Sequence, residues 1–279
     1  MKKNYKFIIA ILTAILTLSL AACGKGPEAT DKPKETTVIK IGIVGEITEP
    51  WIPAIEALAK ENIEIELVKF ADYILPNQAL ADGEIDLNAF QHVAFLNNEI
   101  KEKGLELTPI GNTMIAPLNL YSDKIKNVSE IKENDKIGIP NDVTNGGRAI
   151  KVLESAGLIE VDPAAEYVPG VKDITANPLK LEFIEVEASN LPSLLPDVAA
   201  AIINGNHASD NNLTQQDAIF TQDVSKIKPD NPYINVIVAR SEDKDNELYK
   251  KVVEAYQTDA TKEALQKAYN GLYLPAWFE

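Results

Sequence analysis

Short apolar segments rich in β-branched residues alternate along this chain with segments of helical periodicity, and this alternation limits the possible folds more than any other feature. Apolar segments bounded by turn residues are typical of buried strands. They lie at 38–44, 63–70, 107–120, 136–140, 179–186, 198–203 and 233–239. Helical patterns lie at 50–60, 91–103 and 148–158. The alternation predicts an α/β protein with largely parallel sheets.

Two of the apolar segments predict that the chain is divided into two lobes. Segment 107–120 is too long for one ordinary strand, and 233–239 is the next extended segment after the helices of the middle region. Two such strands can cross between lobes, the second returning the chain to the first lobe. We therefore predict one lobe formed by 38–119 plus 233–279 and a second lobe formed by 120–232.

The amino terminus has the layout of a secretory signal, with three lysines, a short apolar run and small residues before a cysteine. The apolar run, 7–20, is shorter than the roughly 18 to 20 residues of a spanning helix. We predict that 1–22 is a removed signal peptide. Leu-Ala-Ala-Cys before and at Cys23 resembles the lipobox of bacterial lipoproteins, in which this cysteine carries the lipid.

Cys23 and the segment that follows it predict a lipid anchor on a disordered tether. Cys23 is the only cysteine of the 279 residues, so an internal disulfide cannot form. Segment 23–37 is rich in Lys, Glu, Pro and Thr without apolar periodicity. We expect a protein held at the cell membrane by acyl chains such as palmitate, on the extracytoplasmic side. A plain secreted protein is the alternative.

Composition and motif content exclude several classes of function. The chain has 27 basic and 42 acidic residues, a net charge of −15, which disfavours nucleic acid as a partner. It lacks G-x-S-x-G, H-E-x-x-H, a G-x-x-x-x-G-K phosphate loop and a G-x-G-x-x-G turn. The only histidines are His92 and His207. We therefore predict no metal site, no cofactor and no enzymatic activity.

Arg148, one of two arginines, lies where a strand-to-helix turn meets a predicted helix. The turn contains Asn145, Gly146 and Gly147, and such a turn can expose backbone N–H groups at the positive end of a helix. A guanidinium one turn into the helix can bind a carboxylate in a bidentate manner. A surface arginine on an ordinary capped helix is the other interpretation of this pattern.

Aromatic residues follow or end predicted strands, where open α/β sheets bind their ligands. Tyr73, Phe90 and His92 can form a flat-walled pocket, with Phe70 at the end of its strand, and a thioether packs well against such rings. Core packing is the alternative role for these side chains.

Two asparagines interrupt or end apolar segments, Asn204 after 198–203 and Asn235 within 233–239. A buried amide needs hydrogen-bond partners, and the ammonium or carboxylate of a ligand can supply them. A local turn or a neighbouring backbone group supplies them equally well.

Several phrases, in consistent order, resemble the methionine-binding lipoproteins of the NlpA family. They are FADYILPNQALADGEIDLNAFQH, IGNTMIAPLNLYSDKI, IGIPNDVTNGGRAIKVLESAGLI and YINVIVAR, with a weaker match at AAAIING. The resemblance implies a type II periplasmic-binding-protein fold, in which two lobes close on a ligand. It also implies delivery of that ligand to the permease and ATPase subunits of a methionine ABC transporter.

The resemblance implies ligand-binding roles for six residues: the side-chain pocket for Tyr73, Phe90 and His92, the carboxylate for Arg148, and the remaining polar groups for Asn204 and Asn235. The chain departs from the family at Asn206-His207, where a tyrosine is common, and is less typical across 45–51. Either departure is compatible with a modified ligand.

We expect an importer's binding protein for L-methionine, with D-methionine or oxidised methionine as further ligands. A methionine-containing dipeptide is the alternative within the same class. From other classes, a surface lipoprotein without a transport role and a hydrolase with a carboxylate pair remain alternatives.

The lipobox predicts that Cys23→Ser releases the protein from the membrane, because the variant has no thiol to acylate. Fractionation of cells that produce the wild-type protein and the variant measures this. A variant that stays fully in the membrane fraction would contradict the lipid anchor.

Overall fold

A computed structural model of the chain describes residues 36–226, 228–270 and 273–277. The predicted signal peptide 1–22, the predicted lipidation site Cys23 and the predicted tether as far as residue 35 lie outside the described residues. Residue 37, the last of the predicted tether, is the first residue of the first strand. In the part of the chain that the structure describes, no helix has both the length and the apolar character needed to cross a membrane.

The described residues form strands and helices in alternation. The strands are β1 (Thr37–Val44), β2 (Ile63–Phe70), β3 (Leu87–His92), β4 (Leu107–Asn112), β5 (Met114–Ile115), β6 (Asn119–Tyr121), β7 (Lys136–Pro140), β8 (Glu160–Val161), β9 (Ile174–Ala176), β10 (Glu182–Val186), β11 (Ala200–Ile203), β12 (Ala218–Phe220), β13 (Asn235–Arg240) and β14 (Leu274–Pro275). The α-helices are α1 (Ile52–Ala59), α2 (Pro76–Ala81), α3 (Val93–Lys103), α4 (Val143–Ser155), α5 (Leu191–Leu194), α6 (Gly205–Asp210), α7 (Glu247–Tyr256) and α8 (Asp259–Ala268). Single turns of 3-10 helix lie at Glu49–Trp51, Val128–Glu130, Pro163–Ala165, Val171–Asp173, Ala188–Asn190, Gln215–Asp217 and Ser241–Asp243.

Two five-stranded sheets define the two lobes of the α/β fold. Their strand orders are β2-β1-β3-β13-β4 and β10-β7-β11-β6-β12. In the first sheet, β1 pairs in parallel with β2 and β3, and β13 pairs antiparallel with β3 and β4. In the second sheet, β7 pairs in parallel with β10 and β11, and β6 pairs antiparallel with β11 and β12. The sheets are thus mixed rather than largely parallel. β6 and β13 each enter their sheet from the other lobe. Neither is connected to its neighbour by the crossover helix that joins consecutive parallel strands, so each can pair antiparallel.

The chain crosses between the two sheets at the positions of the two long extended segments. Segment 107–120 contributes three strands. β4 lies in the first sheet, β5 pairs with β14 in a small separate sheet, and β6 lies in the second sheet. The chain returns to the first sheet through β13. These are the two crossover strands of the predicted two-lobe fold, and the predicted lobe boundaries at 119/120 and 232/233 stay a prediction.

Strand β13 is buried on both faces, which explains its continuous apolar sequence. Ile237 and Ala239 pack into the core cluster beneath α1 and α7, and Val236 and Val238 pack into the cluster on the opposite face. The second sheet has its own core around Ile137 and its neighbours. Each lobe therefore has an independent apolar core that fixes the strand ends facing the other lobe.

Strand β3 does not follow the apolar pattern of the other strands, and the sequence predicts a helix from residue 91 where β3 continues to His92. Three buried amides stabilise it. Asn77 Nδ2 donates to Gln91 Oε1 (2.8 Å), Asn88 Nδ2 donates to Asn77 Oδ1 (2.9 Å), and Gln91 Nε2 donates to Asn88 Oδ1 (2.9 Å). These bonds offset the cost of burying polar groups beside α2.

We expect Asn77→Leu to lower the free energy of unfolding by about 1–3 kcal/mol, because it leaves the amides of Asn88 and Gln91 without their partners. Asn97→Leu, at an exposed position on α3, is the matched control. Urea denaturation measures both variants. Equal losses in the two variants would mean that the amide cluster does not stabilise β3.

Candidate functional site

A pocket lies between the two lobes, and its empty volume is about 660 Å³ when the open solvent space at its mouth is included. Seven of the eight ligand-binding residues predicted from the sequence line it: Tyr73, Phe90, His92, Asn145, Arg148, Asn204 and Asn235. The eighth, Phe70, does not line the pocket; it is partly buried and packs against a core cluster of the first lobe. Its ring covers Gly42, whose added Cβ would lie 3.1 Å from a ring carbon.

The pocket lies where strands of both sheets end, as is typical of ligand sites in open α/β sheets. His92 ends β3, and Asn235 begins β13 directly opposite it in the antiparallel register. Arg148 lies in α4, just after β7, and Asn204 lies between β11 and α6. The strand ends of the two independent cores thus bring residues from four distant parts of the sequence into one site.

Arg148 is a buried cation with uncharged partners. Its side chain donates from Nε and Nη2 to Gln222 Oε1 (3.2 and 2.6 Å) and from Nη2 to the carbonyl of Ala116 (2.6 Å). The guanidinium carbon lies 4.6 Å from the centre of the Tyr233 ring. Burial lowers the pKa of Arg148 to about 10, so the group remains charged at neutral pH. None of these described partners is a carboxylate, and a carboxylate is the group that such a site can bind.

At the start of α4, two backbone N–H groups are already paired with Asp142. The Asp142 side chain accepts from the Asn145 N–H (2.8 Å), and the Asp142 carbonyl accepts from the Gly146 N–H (2.8 Å). The expectation of backbone N–H groups free for an anion is therefore wrong for these two. The glycines are required by close packing instead. A Cβ on Gly146 would lie 2.7 Å from the Pro140 carbonyl oxygen.

A chain of uncharged polar groups crosses the pocket. His92 Nδ1 accepts from the Phe95 N–H (3.0 Å), so a neutral ring carries its proton on Nε2 and donates to Asn145 Oδ1 (3.3 Å). Asn204 Nδ2 donates to the same oxygen (2.9 Å). Asn204 Oδ1 is buried and has no hydrogen-bond partner among the described residues. This oxygen is an acceptor available to an ammonium group.

Burial and the nearby positive charge of Arg148 together lower the pKa of His92 to about 3. The ring is therefore uncharged at neutral pH. An uncharged ring avoids repulsion with Arg148 and keeps the donor that fixes the orientation of the Asn145 amide.

An aromatic wall closes the end of the pocket formed by the first lobe. The ring centres of Tyr73 and Phe90 are 5.9 Å apart in a stacked arrangement, and Phe95 packs edge-on against both at 6.0 Å. The Tyr73 hydroxyl donates to Asn206 Oδ1 across the cleft (2.5 Å). Burial raises the pKa of Tyr73, which keeps the hydroxyl protonated. Such a wall suits an apolar side chain.

Sequence reasoning missed several residues of this site: Phe95, Asn206, Gln222, Tyr233 and Tyr273. Phe95 has the pattern of an ordinary core residue of a helix, and Asn206 differs from its neighbours in the sequence only as a departure from the family pattern. Gln222 lies in an irregular segment 74 positions from Arg148, and no local pattern marks it.

The positions of the charged and apolar groups indicate an α-amino acid as ligand. The pocket has a cation for a carboxylate, an amide oxygen for an ammonium and an aromatic wall for an apolar side chain. Within the described ranges, no group of three His, Cys, Asp or Glu side chains is placed to hold a metal ion.

The low pKa of His92 predicts how stability depends on pH. The folded ring takes up a proton only near pH 3, whereas the unfolded ring does so near its ordinary value of 6.5, so the unfolded state binds more protons between these values. The free energy of unfolding should therefore fall as the pH drops below 6.5, by up to about 1.4 kcal/mol per pH unit.

Urea denaturation at pH 7, 6 and 5 measures this slope, and His92→Gln should flatten it. Burial also lowers the pKa of His207, which acts in the same direction, so His207→Gln is the companion variant. An unchanged slope in His92→Gln would contradict an uncharged, buried His92.

Comparison with known proteins identifies the family of this chain. The family model of the NlpA lipoproteins matches residues 39–277. The D-methionine-binding lipoprotein MetQ of Yersinia pestis is 40% identical over 282 residues, which cover 99% of this chain and 100% of that protein. The crystal structure of the methionine-binding protein MetQ has a TM-score of 0.82 at 40% identity and covers 87% of this chain and 99% of its own.

A nutrient-binding protein from Burkholderia cenocepacia, solved bound to methionine, has a TM-score of 0.80 at 36% identity and covers 86% of this chain and 100% of its own. The range matched by the family model extends over both sheets and contains every residue that lines the pocket. The chain therefore belongs to the NlpA lipoprotein family.

Proposed function

We propose that this protein is the substrate-binding lipoprotein of an ABC importer and that it binds methionine between its lobes. The observation that carries the proposal is the buried, charged Arg148 with uncharged partners at one end of a pocket whose other end is aromatic. The names of the MetQ relatives and the methionine-bound structure of the Burkholderia protein support methionine as the ligand.

In the proposed complex each part of the amino acid meets a group of matching chemistry. The carboxylate pairs with the guanidinium of Arg148, and the ammonium donates to Asn204 Oδ1, with Asn235 beside it. The thioether chain packs against Tyr73 and Phe90. A bidentate pair between a guanidinium and a carboxylate fixes the orientation of the ligand as well as adding affinity.

Contacts between the lobes explain how such a ligand would stabilise a closed form. Tyr73 bonds to Asn206 across the cleft, and the backbone N–H of Glu46 donates to Asp210 Oδ1 (3.0 Å). A ligand that touches both lobes binds the closed form better and shifts the population towards it. We propose lobes of 38–119 plus 233–279 and 120–232 for this motion.

The proposed partners follow from this role. The closed protein would deliver its ligand to the permease and ATPase subunits of the importer, while the acylated Cys23 holds it at the extracytoplasmic face of the membrane. The family and the names of the relatives support this assignment. Their names describe binding proteins, and we propose that this chain likewise has no enzymatic activity.

Arg148→Ala should weaken methionine binding roughly thirtyfold to several thousandfold, because truncating one member of a buried charge pair costs about 2–5 kcal/mol. Arg148→Lys should restore only part of the affinity, since an ammonium lacks the planar fork. Calorimetric titration of methionine and of methionine amide into each protein is the measurement. The amide lacks the carboxylate and should lose much less.

Lys151→Ala is the matched control, because it removes one positive charge from the same helix without changing the lining of the pocket. It should leave both affinities close to those of the wild type. Equal losses of the acid and the amide in Arg148→Ala would mean that Arg148 supports the loop and does not contact the carboxylate.

A further inference from the structure

Helix α6 carries three residues of the second lobe that contact the first lobe. Asn206 accepts from the Tyr73 hydroxyl, and the ring centres of His207 and Tyr73 lie 5.0 Å apart. The third residue, Asp210, ends the helix and accepts from the backbone N–H of Glu46 (3.0 Å). Asp210 and Glu46 do not line the pocket. Their contact therefore links the two lobes outside the ligand site.

Asp210 is unfavourably placed for the helix that carries it. The C-terminal end of a helix has a partial negative charge, which repels a carboxylate. The N–H of Glu46 offsets this repulsion, because it donates to the carboxylate in a charge-assisted bond. Asp210 is exposed, so water replaces that N–H when the lobes separate, and the net gain is that of one ordinary hydrogen bond. The helix end thus favours a closed arrangement of the lobes over an open one.

The turn that presents the Glu46 N–H requires a glycine. Gly45 has a φ of 101°, which strains any residue with a side chain, and a Cβ there would lie 3.1 Å from Asp210 Oδ2. On the other side of the turn, Lys69 Nζ donates to the Glu46 carbonyl (3.1 Å) and pairs with Glu46 Oε2 (2.6 Å). The first lobe therefore fixes the direction of this N–H through contacts of its own.

Resting on the proposed function, we propose that Asp210 and the Gly45–Glu46 turn form a latch that stabilises the closed form and so sets the affinity for every ligand of the pocket. Asp210 is a positioning residue, since it acts through the arrangement of the lobes and does not contact the ligand. The apparent affinity of a ligand falls in proportion to the population of the form that binds it. Loss of the latch should therefore weaken all ligands by one common factor.

Calorimetric titration of L-methionine and D-methionine into the wild-type protein and Asp210→Ala tests the latch. The two ligands carry the same charged groups in different arrangements, so a direct contact with Asp210 would affect them unequally. Both should bind the variant about three- to tenfold more weakly, as expected for one exposed hydrogen bond. Stopped-flow displacement should show dissociation that is faster by a similar factor. Asp210→Asn keeps an acceptor oxygen and should recover part of the affinity.

Asp197→Ala is the matched control. It removes one exposed carboxylate from the second lobe, just before β11, at the end of that strand opposite the pocket. It should keep the wild-type affinities. Gly45→Ala should weaken binding as Asp210→Ala does, because the added methyl group displaces the carboxylate. The double variant should lose little more than either single variant, since both changes break the same contact.

Unchanged affinities in Asp210→Ala, or losses that differ between the two stereoisomers, would overturn the latch and leave the proposed function intact. Fully additive losses in the double variant would also contradict it. Binding of neither stereoisomer by the wild-type protein would overturn both the latch and the proposed function.

Discussion

The pocket depends on the burial of one positive charge, that of Arg148, between two lobes. Burying a charge without a counter-ion is costly, so the protein stabilises it with neutral groups from three separate parts of the chain. A carbonyl, an amide oxygen and the face of an aromatic ring lessen the cost without cancelling the charge. The remaining attraction for an anion is the main electrostatic source of affinity that the pocket offers.

Among the described residues that line the pocket, none is an acid that could oppose that charge. The acid nearest along the chain, Asp142, is engaged in capping α4 and in bonding the Asn145 amide (3.1 and 3.0 Å). Because Asp142 fixes the orientation of the Asn145 amide, the oxygen of that amide can accept hydrogen bonds from His92 and Asn204. A single capping carboxylate thus fixes both the helix that carries the arginine and the acceptor proposed for the ammonium.

The sequence predicted the fold well where the chain is apolar and continuous. Segments 63–70 and 136–140 coincide with β2 and β7, and the long segment 107–120 indeed passes between the sheets. It failed at β3, because buried amides that satisfy one another are indistinguishable from loop residues when only local pattern is considered. Antiparallel pairing in each sheet was also missed, since it depends on which lobe a strand arrives from.

The site was predictable where a residue has unusual chemistry at a strand end, as Arg148, His92 and Asn204 do. Phe70 has the same local pattern, yet it faces the core, because side chains along a strand alternate between faces and the sequence does not say which face meets the cleft. Tyr273 and Gln222 carry no local signal. Only the tertiary packing of the C-terminal strand and of an irregular segment brings them to the pocket.

The central claim is that an amino acid lies in this cleft with its carboxylate on Arg148, and a crystal structure of the complex with L-methionine tests it most directly. The account predicts both carboxylate oxygens at about 2.7–2.9 Å from the guanidinium nitrogens. It also predicts the ammonium beside Asn204 Oδ1 and the thioether against Tyr73 and Phe90. A ligand bound in the reverse orientation, or with its carboxylate held by other groups, would contradict it.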